Sequence, residues 1–357
     1  MTTPALQRLR EALPEAQITL LTHEKLAPLW QQHPSLDAIV PFRAGEHPWA
    51  IGRRLRALDL DAALVLPNSP RSALEVWLAR IPQRIGYARP WRNWFLTHAL
   101  PTRPGRRPMH KRAEGEIKRL IRRPAEAPGP KTADPFPAAA HHIHDYLYLA
   151  AALGAAPEPL PPRLEITTAE IQRTEQALLS NVRRNAPGQP LTLLGLNPGA
   201  QYGPAKRWPI ESFAAVARAV ASRVESCIWL ALGSEADVKL CEDIARLAGG
   251  GVVNLAGKTS LRELMAVLKL CRVLLTNDSG PMHLAAALGT PVVVPFGSTA
   301  PELTGPGLPG DARDHLLKSS APCSPCFRRT CPIDLRCMTG ITADRVTAAV
   351  LQALSLP

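Results

Sequence analysis

Aromatic side chains make up only 5% of this 357-residue chain, and its most cationic tract, Thr102 to Arg123, contains none. Single-stranded nucleic acid is usually gripped by stacking its bases on aromatic rings, so a nucleic-acid partner ranks low. Long apolar runs are missing too, since none reaches the roughly 18 residues that a membrane-spanning helix needs. The opening stretch, MTTPALQRLREALPEAQITLLT, has polar and charged residues where a secretory signal would carry its apolar segment. These absences point to a cytoplasmic chain with no transmembrane segment. A reducing compartment in turn argues against stable disulfides among the seven cysteines. No motif recurs at a solenoid period.

Acidic residues are in deficit: 30 Asp and Glu stand against 42 Lys and Arg, for a net charge of +12 and a pI of 9.8. Such a balance favours anionic partners, whether nucleotides or a phosphate-rich membrane surface. The excess is concentrated in Thr102 to Arg123, where seven Arg and two Lys face two Glu. That tract reads either as a solvated face or as a contact for acidic lipid headgroups or an acidic substrate.

What is present is ample apolar material, 46% of residues, enough for two ordinary cores. Short apolar runs recur with helical patterns between them: QITLLT, DAIVPF, AALVLP and RIGYA, then LTLLGL, CIWLAL, VVNLAG, VLLTND and PVVVPFG. Their alternation predicts an α/β chain with parallel sheets. A Pro-rich break, APEPLPP, and the polar NAPGQP place a boundary between about residues 160 and 190. The Pro- and Ala-rich stretch 124–138 reads as an irregular loop. Each half resembles a nucleotide-binding unit, in which ligands sit beyond the carboxyl ends of the strands.

Three strand ends carry candidate chemistry. In VLLTNDSGPMHLAAALG a buried strand runs into a tight polar turn and then a helix. Gly280 allows close backbone approach, and the free N–H groups at the helix start suit a diphosphate. Asp278 alone could be a cap and His283 an ordinary helix residue. In LGLNPGAQYGPAKRWP a second turn brings Lys206 to a helix start, where an ammonium neutralises phosphate oxygens, the alternative being a solvated lysine. In ALGSEAD, Glu235 is either a first-turn dipole partner or an acceptor for ribose hydroxyls.

Taken together, NPGA with KRWP, LGSEAD and TNDSGPMHLAAALGTPVVVPFG resemble the bacterial lipopolysaccharide heptosyltransferases, the ADP-heptose-using glycosyltransferase family 9. The likeness extends to PNSPRSALEVWLARIPQRIGYA and HHIHDYLYLAAALG, and the tail CSPCFRRTCPIDLRCM looks like the heptosyltransferase II branch. The resemblance implies a GT-B fold of two Rossmann-like domains facing a cleft. Residues 1–165 would bind the acceptor, 166–189 would link, 190–342 would bind the nucleotide sugar, and a helix in 343–357 would pack back toward the first domain. It also implies an inverting transfer of L-glycero-D-manno-heptose from ADP-heptose, as co-substrate, to the inner core of lipopolysaccharide at the inner face of the inner membrane. Heptosyl-Kdo2-lipid A is favoured over Kdo2-lipid A as acceptor, and no cofactor is required. By the same carry-over Lys206 and the turn Ser279, Gly280 and His283 take the leaving charge, Glu235 holds the ribose, and Asp278 the sugar or phosphate end. On the acceptor side Asn68, Ser69, Arg71 and Arg84 are expected on strand ends, arginines suiting the carboxylates of Kdo and the phosphates of lipid A. A transferase for another nucleotide sugar, and a non-catalytic ADP-sugar binder, are the alternatives.

Family members begin with a strand and a Gly-Asp turn whose Asp is the general base. Here the chain opens on the helix, so the first domain is expected to lack its first strand and the base has no match. A start placed roughly 20 residues too late, or a binding relic without transfer activity, would each account for that. Cys323, Cys326, Cys331 and Cys337 follow C-x2-C-x4-C-x5-C, a spacing near that of a zinc knuckle. Thiols packed among apolar side chains are the competing reading, and no metal is assigned. Cys227, Cys241 and Cys271 read as core.

Overall fold

A computed structural model describes residues 1–122, 137–184 and 191–355. The chain divides into two compact units, Met1–Arg107 with Ala139–Glu165, and Pro108–Ala138 with Ile166–Pro357.

The second unit is built on one six-stranded parallel sheet. Its strands are β6 (Thr192–Asn197), β7 (Cys227–Ala231), β8 (Val252–Asn254), β9 (Val273–Thr276), β10 (Val292–Phe296) and β11 (Asp314–Lys318), in the order β11-β10-β9-β6-β7-β8. The middle strands read as unbroken apolar runs because helices cover both faces: all of β9 and β10 is buried. The order reverses beside β6, whose Asn197 pairs with Thr276 of β9. Neighbouring strands there send their chains to opposite faces, which opens a crevice at the carboxyl edge.

Helices α7 (Ile210–Ala221), α8 (Val238–Ala248), α9 (Leu261–Leu270), α10 (Gly280–Ala287), the single turns α11 (Pro301–Thr304) and α12 (Arg336–Thr339), and α13 (Ala343–Leu354) complete this unit with α6 (Thr168–Arg184). Trp208, Phe213, Trp229, Val346 and Val350 share its largest core. Helix α13, expected to pack back toward the first domain, lies on α7 and on β9, β10 and β11 of its own unit, with Val346 and Val350 fully buried.

Pro108–Ala138 was also expected to belong to the first domain, yet it joins the second. Helix α4 (Glu114–Arg122) sinks Ile117 against Cys323 and Cys326. Arg112 donates from its backbone N–H to the Cys326 carbonyl at 3.0 Å and from Nη1 to the Pro322 carbonyl at 3.1 Å. Part of the basic tract is therefore an internal tie. The polar remainder of α4 is set by its ends, with Glu114 and Glu116 in the first turn and Arg119 and Arg122 in the last, each facing the favourable pole of the helix dipole. Most of the stretch 124–138, read as an irregular loop, lies outside the described residues.

The first unit contains α1 (Thr3–Ala12), α2 (Pro48–Arg56), α3 (Pro70–Leu78) and α5 (Ile143–Ala151) around two parallel sheets. One pairs β1 (Thr19–His23) with β2 (Ala38–Phe42); the other runs β3 (Ala62–Val65), β4 (Gln83–Tyr87), β5 (His98–Leu100). Among the described residues no ladder joins β1 or β2 to the other three. A single core nevertheless spans them, since Leu21 and Phe42 pack with Ile51, Leu55, Val65 and Val76.

Candidate functional site

At the carboxyl edge of the second sheet the turns after β6 and β9 are stitched together by buried amides. Asn197 Nδ2 donates to Thr276 Oγ1 at 2.9 Å and to Ser279 Oγ at 3.1 Å. Asn277 Nδ2 donates to the Pro198 carbonyl at 2.7 Å, while its Oδ1 accepts the Trp208 N–H at 3.0 Å. Both asparagines are buried, and each bond replaces water that the fold has removed. Trp208, 2% exposed, anchors the far end of the first turn by donating from Nε1 to the Ile341 carbonyl at 3.0 Å.

This scaffold fixes Lys206. Its Nζ lies 2.6 Å from Asp278 Oδ2, with the two side chains 12% and 7% exposed, and 4.7 Å from the Tyr202 ring centroid. Thr299 Oγ1 donates to the same carboxylate oxygen at 2.6 Å. A largely buried ammonium is expensive without a counter-charge, and Asp278 supplies it. Ser279 occupies the N-cap of α10 without a side-chain cap bond, so the helix opens at Gly280 beside Asp278, the partner of the lysine. A Cβ placed on Gly280 would meet nothing within 4 Å, so no neighbour within the chain demands glycine there. His283 is half-buried one turn into the helix.

Glu235 stands exposed at the end of β7, directly after Ser234. Ser234 and Asp237 lock that turn as a capping box, with Asp237 Oδ2 accepting from Ser234 N at 2.9 Å. A Cβ on Gly199 would stand 2.8 Å from both Asp237 oxygens, so only glycine lets the β6 turn come this close to the β7 turn. The structure thus brings Lys206, Asp278, Ser279 and Gly280 together and sets Glu235 on the adjoining turn.

In the first unit, Asn68 and Ser69 follow the carboxyl end of β3, as expected, and Ser69 caps α3 by accepting the Ser72 N–H at 3.2 Å. Arg71, in the first turn of α3, pairs with Glu75 at 2.8 Å and also donates to the Glu46 carbonyl. Arg84, expected with them, lies elsewhere. It is the second residue of β4, paired with Ala63, which puts it at the amino edge of the sheet, opposite Asn68 and Ser69. Its guanidinium is spent on backbone, donating to the Phe95 carbonyl at 2.7 Å and to that of Ile81. Arg92, by contrast, does reach the carboxyl edge. It is fully buried and donates from Nη1 to the Pro67 carbonyl at 2.9 Å and to Asn68 Oδ1 at 3.3 Å.

The four tail cysteines line one small pocket with Ile117, Ala205 and Ile333. All seven cysteines of the chain are free thiols. Burial pushes the Cys337 thiol up to about 12 and raises that of Cys323. Among the described residues, no group of three or more His, Cys, Asp or Glu is placed to hold a metal ion.

Residues 131–336, more than half of the chain, match the model for glycosyltransferase family 9 (heptosyltransferase). The chain belongs to this family. It is a glycosyltransferase with a GT-B type of fold, two α/β units with parallel sheets. It is similar to lipopolysaccharide heptosyltransferase 2 of Salmonella typhimurium, 29% identical over 310 residues that cover 84% of this chain and 79% of the other. Its fold is that of Escherichia coli ADP-heptose lps heptosyltransferase II, with a TM-score of 0.72 at 24% identity over 99% of this chain and 94% of that one. A family 9 glycosyl transferase from Veillonella parvula aligns with a TM-score of 0.76 at 21% identity, covering 99% and 92%.

Within the glycosyltransferase, three site residues went unnoticed in the sequence. Thr299 ends the run VVVPFGST, and a hydroxyl just past a buried strand was the available signal. Asn197 likewise ends its strand, although an amide there reads equally as a turn former. Nothing local distinguishes Arg92 from the six other arginines between residues 76 and 107.

Proposed function

We propose that this glycosyltransferase transfers L-glycero-D-manno-heptose from ADP-heptose, with inversion, to the inner core of lipopolysaccharide. Relatives named as lipopolysaccharide heptosyltransferase 2 support the substrate class, and in this reading heptosyl-Kdo2-lipid A is the acceptor in preference to Kdo2-lipid A. The observation that carries the reading is the Lys206–Asp278 pair, 2.6 Å apart, beside the open start of α10.

As the glycosidic bond to the donor phosphate lengthens, positive charge grows on the sugar ring and negative charge on the departing ADP. The Lys206 ammonium and the N–H groups at Ser279 and Gly280 receive that negative charge, already oriented before reaction. Preset donors of this kind contribute on the order of 3 kcal/mol each to the transition state. Asp278 keeps the ammonium in place and stands at the sugar end of the donor. Glu235 accepts the ribose hydroxyls, and His283 lies behind the phosphate turn. Asn68, Ser69 and Arg71 take the acceptor, with Arg84 removed from that set and the general base unassigned. In this reading a lipid-linked acceptor brings the protein to the inner face of the inner membrane; no helix among the described residues is long and apolar enough to cross one.

Transfer from ADP-heptose to heptosyl-Kdo2-lipid A and to Kdo2-lipid A, followed by mass spectrometry, tests the reading. Faster turnover of the first acceptor is expected. Calorimetric binding of ADP-heptose with no product on either acceptor would instead establish an ADP-sugar binder, and absence of any ADP binding would overturn the donor site itself.

A further inference from the structure

Two tryptophans of the first unit stand almost wholly in water. Trp91 is 75% and Trp94 77% exposed, and their rings meet edge to face with centroids 6.2 Å apart. The large apolar area left in water costs free energy, and a pair of adjacent exposed indoles suggests a surface they are meant to meet.

They are held outward by a built loop. Between them Arg92 points inward, fully buried, and bonds the Pro67 carbonyl, so one residue nails the segment down while its two neighbours face out. Asn93 Oδ1 accepts the Arg89 N–H at 2.9 Å, and the Phe95 N–H closes on the Arg92 carbonyl at 3.0 Å. Trp91 itself sits at φ +64°, a left-handed conformation that a bulky residue adopts only when its surroundings impose it. The apolar surface continues through Phe95 to Trp77, 45% exposed on α3, their ring centroids 5.7 Å apart.

The sequence around this aromatic ridge carries charge of one sign, although Asp145 pairs with Arg103 and Arg106. From residue 76 to 107 there are seven arginines and no Asp or Glu. Of these, Arg80, at the end of α3, and Arg107 are exposed. Indole rings prefer the headgroup layer of a bilayer, where an apolar body and a polar N–H are both accommodated. Arginines beside them are drawn to anionic headgroups.

We infer that Trp91 and Trp94, with Trp77 and Arg80, form the surface by which the first unit sits on an anionic phospholipid bilayer. The biological role of this surface rests on the reading of a lipid-linked acceptor, but the contact itself needs neither donor nor acceptor. Co-sedimentation of the full chain with vesicles of phosphatidylglycerol and phosphatidylethanolamine, compared with phosphatidylcholine alone, therefore tests it apart from any transfer assay. The expected result is binding to the anionic vesicles that weakens as salt rises. Trp91→Ala/Trp94→Ala should weaken it by about tenfold, with the melting temperature unchanged. Should the alanine pair fail to fold, quenching of tryptophan emission by brominated phospholipid answers the same question, and it should fall in Trp91→Phe/Trp94→Phe. No binding to anionic vesicles, equal binding by the double variant, or unchanged quenching would each overturn the proposal.

Discussion

Lys206 Nζ and Asp278 Oδ2 lie 2.6 Å apart, although 72 residues separate them in sequence and each leaves a different strand. Removing one partner leaves the other charged and desolvated, which costs about 3 kcal/mol where burial is this deep. Lys206→Ala should therefore lower the melting temperature and reduce kcat by about a hundredfold. In Lys206→Met/Asp278→Asn the melting temperature should recover while kcat stays low. Recovery of both would show that the pair serves the fold and not the reaction.

Thr299 holds the same carboxylate through a 2.6 Å bond. A hydrogen bond to a charged group is worth about 2 kcal/mol, so Thr299→Val should weaken ADP binding measured by calorimetry. Thr299→Ser, which keeps the hydroxyl, should restore it.

Acid should unfold the second unit partly through Glu170. The Arg262 guanidinium, 2.6 Å away, outweighs burial and, with Thr167, holds this carboxyl at about 2, below its ordinary 4.5. A depressed carboxylate stabilises the fold above its unfolded value and loses that contribution as pH falls. The loss should span about pH 4.5 to about pH 2. Melting temperatures through this range should fall less steeply in Glu170→Gln.

Asp314 has the opposite sign. Burial, with the neighbouring Asp311 charge, pushes its carboxyl up to about 7 from 3.8. The neutral form fits the fold, so its contribution is complete at low pH and is lost as pH rises through about 7. Asp314→Asn should raise the melting temperature at pH 8 relative to the parent and leave it little changed at pH 4.

Thiol labelling should follow accessibility and charge. Cys241, Cys271 and Cys337 are buried thiols raised to about 12, and a protonated thiol is a poor nucleophile. Cys331 is only half-buried. Iodoacetamide at pH 8 should modify Cys331 first and the other three only after denaturation, read by peptide mass spectrometry.

Strands buried on both faces were the most readable parts of the chain. LTLLGLN, CIWLA, VLLT and VVVPF are long enough and apolar enough that no surface position suits them. The edge strands β5, His98–Leu100, and β11, Asp314–Lys318, went unread because one flank of each lies open and their polar residues resemble loop. The donor-side turns were legible for a related reason. A polar cluster between a buried strand and a helix has few local uses, and Lys206, Asp278 and Ser279 fell in such clusters.

Sequence alone thus determined the α/β class, the parallel strands and the turns at the carboxyl edge of the second sheet, which follow from periodicity and near-neighbour chemistry, while its motifs carried the resemblance to the family. Tertiary structure alone decided that Pro108–Ala138 joins the second unit, that α13 packs within it, and that Arg84 serves backbone carbonyls while Arg92 reaches Asn68. It also decided that Thr299 completes the Lys206–Asp278 pair. The reason is physical: periodicity says which face of a segment turns from water, but which distant donor meets which acceptor depends on how strands are ordered, and that order is set only when the whole core packs.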